Sequence, residues 1–256
     1  MRVLIGIYIF ILGTIFGSFF GVIIDRLPKG ESIVSPASRC DNCGHVLKWY
    51  ENIPLFSYLF LGRKCSNCKT KIDGFLFIYE LIGGLSLLLI YLKFGISFEC
   101  LFIESITLVM LLIAGYDYKT NTILNIFLYI LAILCVGLFV YRVFVLRYFF
   151  LSYVLSSLLG LVFFLSVKLI MNKILKKESL GSGDIYLVTI LGIAFDPVEQ
   201  LLAILFASLI GSIISIAMIK LDKRQRDAGI AFCPYLCLGY YIVFMFGEVL
   251  AKFLVG

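Results

Sequence analysis

The sequence predicts an all-α polytopic membrane protein of about eight transmembrane helices, with a small cytoplasmic four-cysteine zinc-binding domain between helices 1 and 2. Three observations predict it. Of 256 residues, 62% are hydrophobic and only 15% are charged, whereas soluble domains are roughly half apolar and about a quarter charged. The apolar residues gather in runs close to the ~20 residues that a bilayer requires. A single sizeable polar island, residues 26–74, interrupts them and carries two C-x-x-C pairs.

The first run starts almost at Met1 and extends to about Ile24. Its apolar core is too long for a signal-peptide h-region and no A-x-A site follows, so it reads as a retained helix, residues 1–25. The zinc-binding domain occupies 26–74, and residues 75–256 form a seven-helix membrane domain. Its runs lie at roughly 75–92, 98–116, 122–141, 148–171, 185–195, 198–219 and 230–253. The run at 185–195 is too short to cross a bilayer by itself.

Lys and Arg in the connecting segments set the orientation, because cytoplasmic loops carry the excess. With the N-terminus outside, the inner segments hold sixteen: Arg26, Lys29, Arg39, Lys48, Arg63, Lys64, Lys69, Lys71, Lys119, Lys173, Lys176, Lys177, Lys220, Lys223, Arg224 and Arg226. The outer segments hold five: Arg2, Lys93, Arg142, Arg147 and Lys252. The net charge of +6 is therefore a matter of topology and not a nucleic-acid surface.

In the island, Cys40 and Cys43 form one pair and Cys65 and Cys68 the other, 21 residues apart. That spacing can close a tetrahedral zinc site of four thiolates, and Gly44 suits a tight turn around the metal. So short a segment lacks a core of its own, and a metal staple supplies the missing stability. Two disulfides are the alternative; a loop facing a reducing cytosol argues against them. His45 could compete as a ligand by position, but reads first as a loop side chain.

Two acids border the membrane runs. Asp117 ends the third span and Asp184 opens the sixth, after Gly181-Ser182-Gly183. Both meet the inner surface in this topology, and if helices three and six stand side by side the carboxylates face each other. Two carboxylates sharing a site titrate as a pair, one protonated and one charged. Such a pair can draw a proton from water while polarising a peptide carbonyl, which is aspartic-protease chemistry. Gly181 and Gly183 remove side chains that would keep an extended substrate away. An aspartate at a helix start can also be a cap and nothing more. Asp117, at a helix C-terminus, opposes the dipole and calls for another reason.

These residues resemble the bacterial type IV prepilin peptidases, the leader peptidase/N-methyltransferases of the GxGD membrane aspartic class, over nearly the whole chain. The resemblance is carried by GSFFGVIIDRLP (17–28), SPASRCDNCGHVLKWYENIPLFSYLFLGRKCSNC (35–68), Asp117, GSGD (181–184) and AFCPYLCLGY (231–240). The chain differs from the family pattern at Gly21 for Asn, Leu124 for Pro, Tyr186 for Lys and Cys233 for Gly. The resemblance implies that residues 75–256 are a peptidase domain, with Asp117 and Asp184 catalytic. The enzyme would remove the short leader of prepilins or pseudopilins after a Gly, on the cytoplasmic side of the bacterial inner membrane. It further implies N-methylation of the new N-terminus with S-adenosylmethionine, with Glu51, Asn52, Pro54 and Glu80 as candidate residues. No G-x-G-x-x-G fingerprint is present, so this second activity comes from the resemblance alone. The GYD and GSGD elements also suit a presenilin-like or signal-peptide-peptidase-like protease, against which the cysteine island argues. A transporter relaying protons through its paired acids, with a zinc docking loop, is the non-enzymatic alternative.

Overall fold

Lipid offers a backbone no hydrogen-bond partner, so long apolar stretches satisfy their own N–H and C=O groups as helices. The computed structural model describes residues 1–40, 42–72, 74–176, 180–220 and 231–255. Four of the loop cations counted above, Lys177, Lys223, Arg224 and Arg226, lie outside these residues. Among the described residues seven helices are long and apolar enough to cross a membrane. The eighth apolar segment of the sequence is a short helix, Ser182–Gly192. The chain is a multi-pass membrane protein.

Packing divides it into two units, Met1–Gly95 and Ile96–Gly256. Polarity marks where the chain leaves lipid; packing groups the second span with the first. The first unit contains α1 (Arg2–Arg26), a loop with the five-residue α2 (Phe56–Phe60), and α3 (Gly74–Phe94). Helices α1 and α3 pack along each other, and small residues bring their backbones together, as is common for helices in lipid. A Cβ at Gly17 would lie 2.9 Å from Glu80 Cα, and one at Gly13 would strike the Gly83 carbonyl. Thr14, Gly13 and Gly17 are all buried. At the end of α1, Arg26 donates to the Ser32 and Pro36 carbonyls and fixes the direction in which the loop departs.

The second unit contains α4 (Phe98–Thr120), α5 (Asn125–Val140, extended by a π turn at Tyr141–Val145), α6 (Phe150–Leu175), α7 (Ser182–Gly192), α8 (Pro197–Lys220) and α9 (Cys233–Val255). Local chemistry sets the boundaries. Ser97 Oγ accepts the Cys100 N–H and starts α4, as N-cap residues do. Asn121, in the left-handed conformation with φ 52°, ends it. Asp196 and Glu199 exchange hydrogen bonds around Pro197, forming a reciprocal cap that starts α8. The ends of α4, α6 and α8 and the starts of α5, α7 and α9 follow one another in an up-and-down path. Asp117 and Asp184 therefore sit at the same end of this unit.

Candidate active site and metal cluster

Asp117 is the fourth residue from the end of α4 and is 6% exposed; Asp184 is the third residue of α7 and is 9% exposed. Gly181 is the N-cap of α7 and no side chain caps the helix. The Asp184 carboxylate makes no side-chain hydrogen bond with the described residues and lies in the first turn of α7, where the helix dipole favours a negative charge. Asp117 is near enough for its charge to be felt at Asp184. The Asp117 carboxylate lies beside the start of α9, whose first residue is Cys233. Thus the negative charge at the unfavourable end of α4 is met by the favourable end of α9. Cys233, fully buried, lies in the field of both acids. The sequence offered no sign of this helix start as part of the site beyond the position of Cys233 at the head of the last apolar run.

The acids do not meet through side-by-side helices. Helix α7 packs on α5, α6 and α9, whereas α4 packs on α5 and α9, and α4 and α7 share no packed face. The expectation for helices three and six is corrected accordingly: their ends converge while α5 and α9 separate their lengths. The convergence is made by the turn after α4. Ile123 sits against Gly183, where a Cβ would come within 3.0–3.2 Å of three of its atoms. Gly183 is therefore a contact between the two acid-bearing segments, and Gly181 leaves space beside the carboxylate, a Cβ there lying 3.3 Å from Asp184 Oδ2. Tyr186, where the family pattern has Lys, is 56% exposed.

Helix α7 has 11 residues, roughly 16 Å at about 1.5 Å per residue, against a hydrocarbon core of ~30 Å. Its far end stops inside the bundle and requires polar partners there. Ser157 Oγ donates to the Thr189 carbonyl (2.8 Å) and Gln200 Nε2 to the Val188 carbonyl (3.3 Å). Gln200 is itself held by the Tyr240 hydroxyl at 2.9 Å. Beyond the helix, Arg142 Nη1 donates to the Ala194 carbonyl at 2.6 Å while Nη2 pairs with Glu99 at 2.8 Å. The helix bearing Asp184 is thereby fixed from both flanks and at its foot. Arg142, read from the sequence as an outer-loop charge, is a half-buried strut.

In the first unit, Cys40, Cys43, Cys65 and Cys68 converge, their sulfurs all within 4.8 Å of one another, a set able to hold a metal ion. Each C-x-x-C is one turn of the same construction. Cys40 N–H bonds the His45 carbonyl and Gly44 N–H the Cys40 carbonyl; Cys65 N–H bonds the Thr70 carbonyl and Lys69 N–H the Cys65 carbonyl. A bridge of antiparallel type closes each turn, Arg39 to Val46 and Lys64 to Lys71. Gly44 has φ +70° and its counterpart Lys69 has φ +60°, so the second turn places a side chain where the backbone favours glycine. The asparagines reach across. Asn42 Nδ2 donates to Cys68 Sγ and Asn67 Nδ2 to Cys43 Sγ. The shared Asn at the third position of both C-x-x-C pairs was the sequence signal for this. Thr70, with Asn42, holds the Cys68 thiol down to about 5.

Glu51 is buried against this cluster. It accepts the Lys48 N–H at 2.8 Å and contacts His45 Nε2 at 3.1 Å. The Lys48 N–H, then the Ser66 hydroxyl and His45, hold its carboxyl down to about 2. His45 thus serves Glu51 and lies outside the four-sulfur set. Glu80, in α3, accepts the Leu55 N–H at 2.8 Å. Both carboxylates are engaged in holding the loop, while Asn52 is exposed and Pro54 half-buried.

Residues 11–94 match the bacterial peptidase A24 N-terminal domain and residues 105–216 the type IV leader peptidase family. The first span takes in the four cysteines and the second both acids. A prepilin leader peptidase/N-methyltransferase of Myxococcus xanthus is 34% identical over 230 residues, 86% of this chain and 65% of the relative. A protein of the same description from Pseudomonas aeruginosa is 30% identical over 94% of this chain and 90% of its own length. Another, from Bacillus subtilis, is 26% identical over 96% of both. No solved structure matches the chain significantly.

Proposed function

This chain belongs to the type IV leader peptidase family, and from that membership we propose that it is a membrane aspartic endopeptidase that removes the leader of prepilins or pseudopilins. The observation that carries the reading is the convergence of two buried acids at one end of the second unit, Asp117 beside the start of α9 and Asp184 in the first turn of α7. Both carboxylates lie at helix starts, Asp117 beside that of α9 and Asp184 in the first turn of α7, and of such a pair one member is ionised while the other carries the proton. The charged acid takes a proton from water as the water attacks the scissile carbonyl, and the neutral acid hydrogen-bonds the carbonyl oxygen. The excess of Lys and Arg at this end argues for the cytoplasmic face of the inner membrane, where a short basic leader emerges from lipid.

In the same reading the four cysteines hold one zinc ion. Four thiolates at the Zn–S distance of ~2.3 Å form a tetrahedron with edges of about 3.8 Å. The sulfurs of Cys40 and Cys68 are 3.8 Å apart, and those of Cys43 and Cys65 3.9 Å. A closed tetrahedron leaves no position for substrate, so the metal is structural. N-methylation of the released N-terminus is the second activity, with S-adenosylmethionine as co-substrate and Asn52 and Pro54 as the candidates whose side chains are not engaged in holding the loop.

The test is co-expression with a prepilin, followed by mass measurement of its N-terminus, which reports cleavage and added methyl together. Asp117→Asn and Asp184→Asn should each abolish leader removal while leaving the helical fold and the metal content intact. Processing by both variants, or wild-type cleavage in mid-helix instead of after the leader Gly, would overturn the reading.

A further inference from the structure

The loop of the first unit carries an apolar face that none of the described residues covers. Trp49 is 80% exposed, Phe60 84%, and Phe56 and Leu59 59% each. With Tyr50, Ile53, Ser57 and Leu61, the phenylalanines line a cavity of about 490 Å³. A water-facing loop does not normally present such a surface.

The height of this face is set by α3. The Leu55 N–H bonds Glu80, the seventh residue of that helix, which lies roughly 9 Å along its axis. The Tyr58 ring stacks on Phe77, centroids 4.8 Å apart, and its hydroxyl approaches Gly74. Helix α2 therefore runs beside the first two turns of a membrane span, with Leu55 and Tyr58 turned toward it. Phe56, Leu59 and Phe60 are left pointing outward at the same level. Exposed cations flank this segment in the chain, Lys48 before it and Arg63, Lys64, Lys69 and Lys71 after it; Lys48 lies over the Tyr50 ring and Arg63 over the Tyr58 ring. Apolar and aromatic side chains at the depth of a helix end, bordered by Lys and Arg, are what the boundary between acyl chains and anionic headgroups accepts.

We propose that residues 49–61 lie in the cytoplasmic leaflet, with Phe56, Leu59 and Phe60 among the acyl chains and the flanking cations at anionic lipid phosphates. The loop is then anchored to the bilayer along its side as well as at its two ends. This is independent of the catalytic reading, since it needs only that α3 spans the membrane.

Trp49 is the single tryptophan of the chain, so its emission reports on this segment alone. The full chain is reconstituted in phosphatidylcholine/phosphatidylglycerol vesicles containing phosphatidylcholine brominated on its acyl chains. Emission should fall at least about twofold, as expected of a ring seated at the interface, and aqueous iodide should have little effect. A second protein, carrying Trp49→Phe and Phe60→Trp, moves the fluorophore onto α2 and should be quenched more strongly by bromine. Adding Phe56→Asp and Leu59→Asp to that protein should reverse the ranking of the two quenchers. Iodide quenching without bromine quenching in both fluorophore positions would overturn the proposal. So would protection from iodide that arises only on addition of an apolar helical peptide, which would assign the face to a protein partner.

Discussion

Arg142 and Glu99 join the start of α4, the π turn after α5 and the segment after α7, and replacing either one tests whether they hold the short helix in place. Their side chains are 12% and 21% exposed, so the pair is largely withdrawn from solvent. Removing one partner of a buried pair costs about 3–5 kcal/mol, because the survivor keeps its desolvation penalty without its counter-charge. The partial exposure puts Glu99→Gln near or below the lower limit, and the amide can still accept a bond. Arg142→Met loses more: Glu99 is left unpaired and the Ala194 carbonyl, now bonded at 2.6 Å, is left without that donor, for a further ~1 kcal/mol or more. For a unit of this size each kcal/mol moves the melting temperature by roughly 2–4 °C. We therefore expect Arg142→Met to melt about 10 °C below wild type, with Glu99→Gln intermediate. Arg142→Met with Glu99→Met should recover part of the loss, since no stranded charge remains. The assay is thermal unfolding of the purified full chain in detergent, followed by helical circular dichroism, as a double-mutant cycle. Single variants indistinguishable from wild type, or losses that simply add in the double variant, would refute the strut.

Asn42→Leu and Asn67→Leu should each weaken metal retention about 10–100-fold, the usual loss for an outer-shell partner, measured by competition with a chromophoric chelator; unchanged retention would remove the cross-donation to Cys68 and Cys43. Lys69→Gly should stabilise the loop, because a side chain in the left-handed region costs about 1–2 kcal/mol; amide exchange of residues 63–72 reads this, and faster exchange would contradict it. Gly17→Val should break the α1–α3 contact, where even a Cβ falls 2.9 Å from Glu80 Cα; loss of a cross-link between cysteines introduced on the two helices is the expected outcome.

Both acids, the four cysteines and the number of apolar segments could be read from the chain, because each rests on residue type at short spacing. Lipid imposes helices on apolar runs, and thiols at C-x-x-C spacing have few other uses. The partners of those residues could not be read. Nothing local joins Asp117 to the start of α9 at Cys233, 116 places away, or Arg142 to Ala194. Such contacts depend on which helices touch, and the pattern of apolar residues in a membrane carries little of that information, since lipid-facing and buried positions are both apolar. Side-by-side packing of α4 and α7 was the natural inference from two acids at equal height; the intervening α5 and α9 show that equal height does not require adjacency. The glycines had a use that spacing alone left open: Gly183 meets Ile123, whereas access to a substrate was the reason read from GSGD.

The close contact of α1 with α3 has a bearing on the loop they carry. Residues 27–73 start and finish on two rods whose backbones touch, so the chain between them is a closed ring before any metal arrives. Gathering the ends of a free segment of that length costs on the order of 3 kcal/mol. In the intact protein that entropy is already lost when the hairpin inserts. The four sulfurs then need only local rearrangement to find one another, and a peptide cut from the membrane would have to overcome the whole cost through its ion.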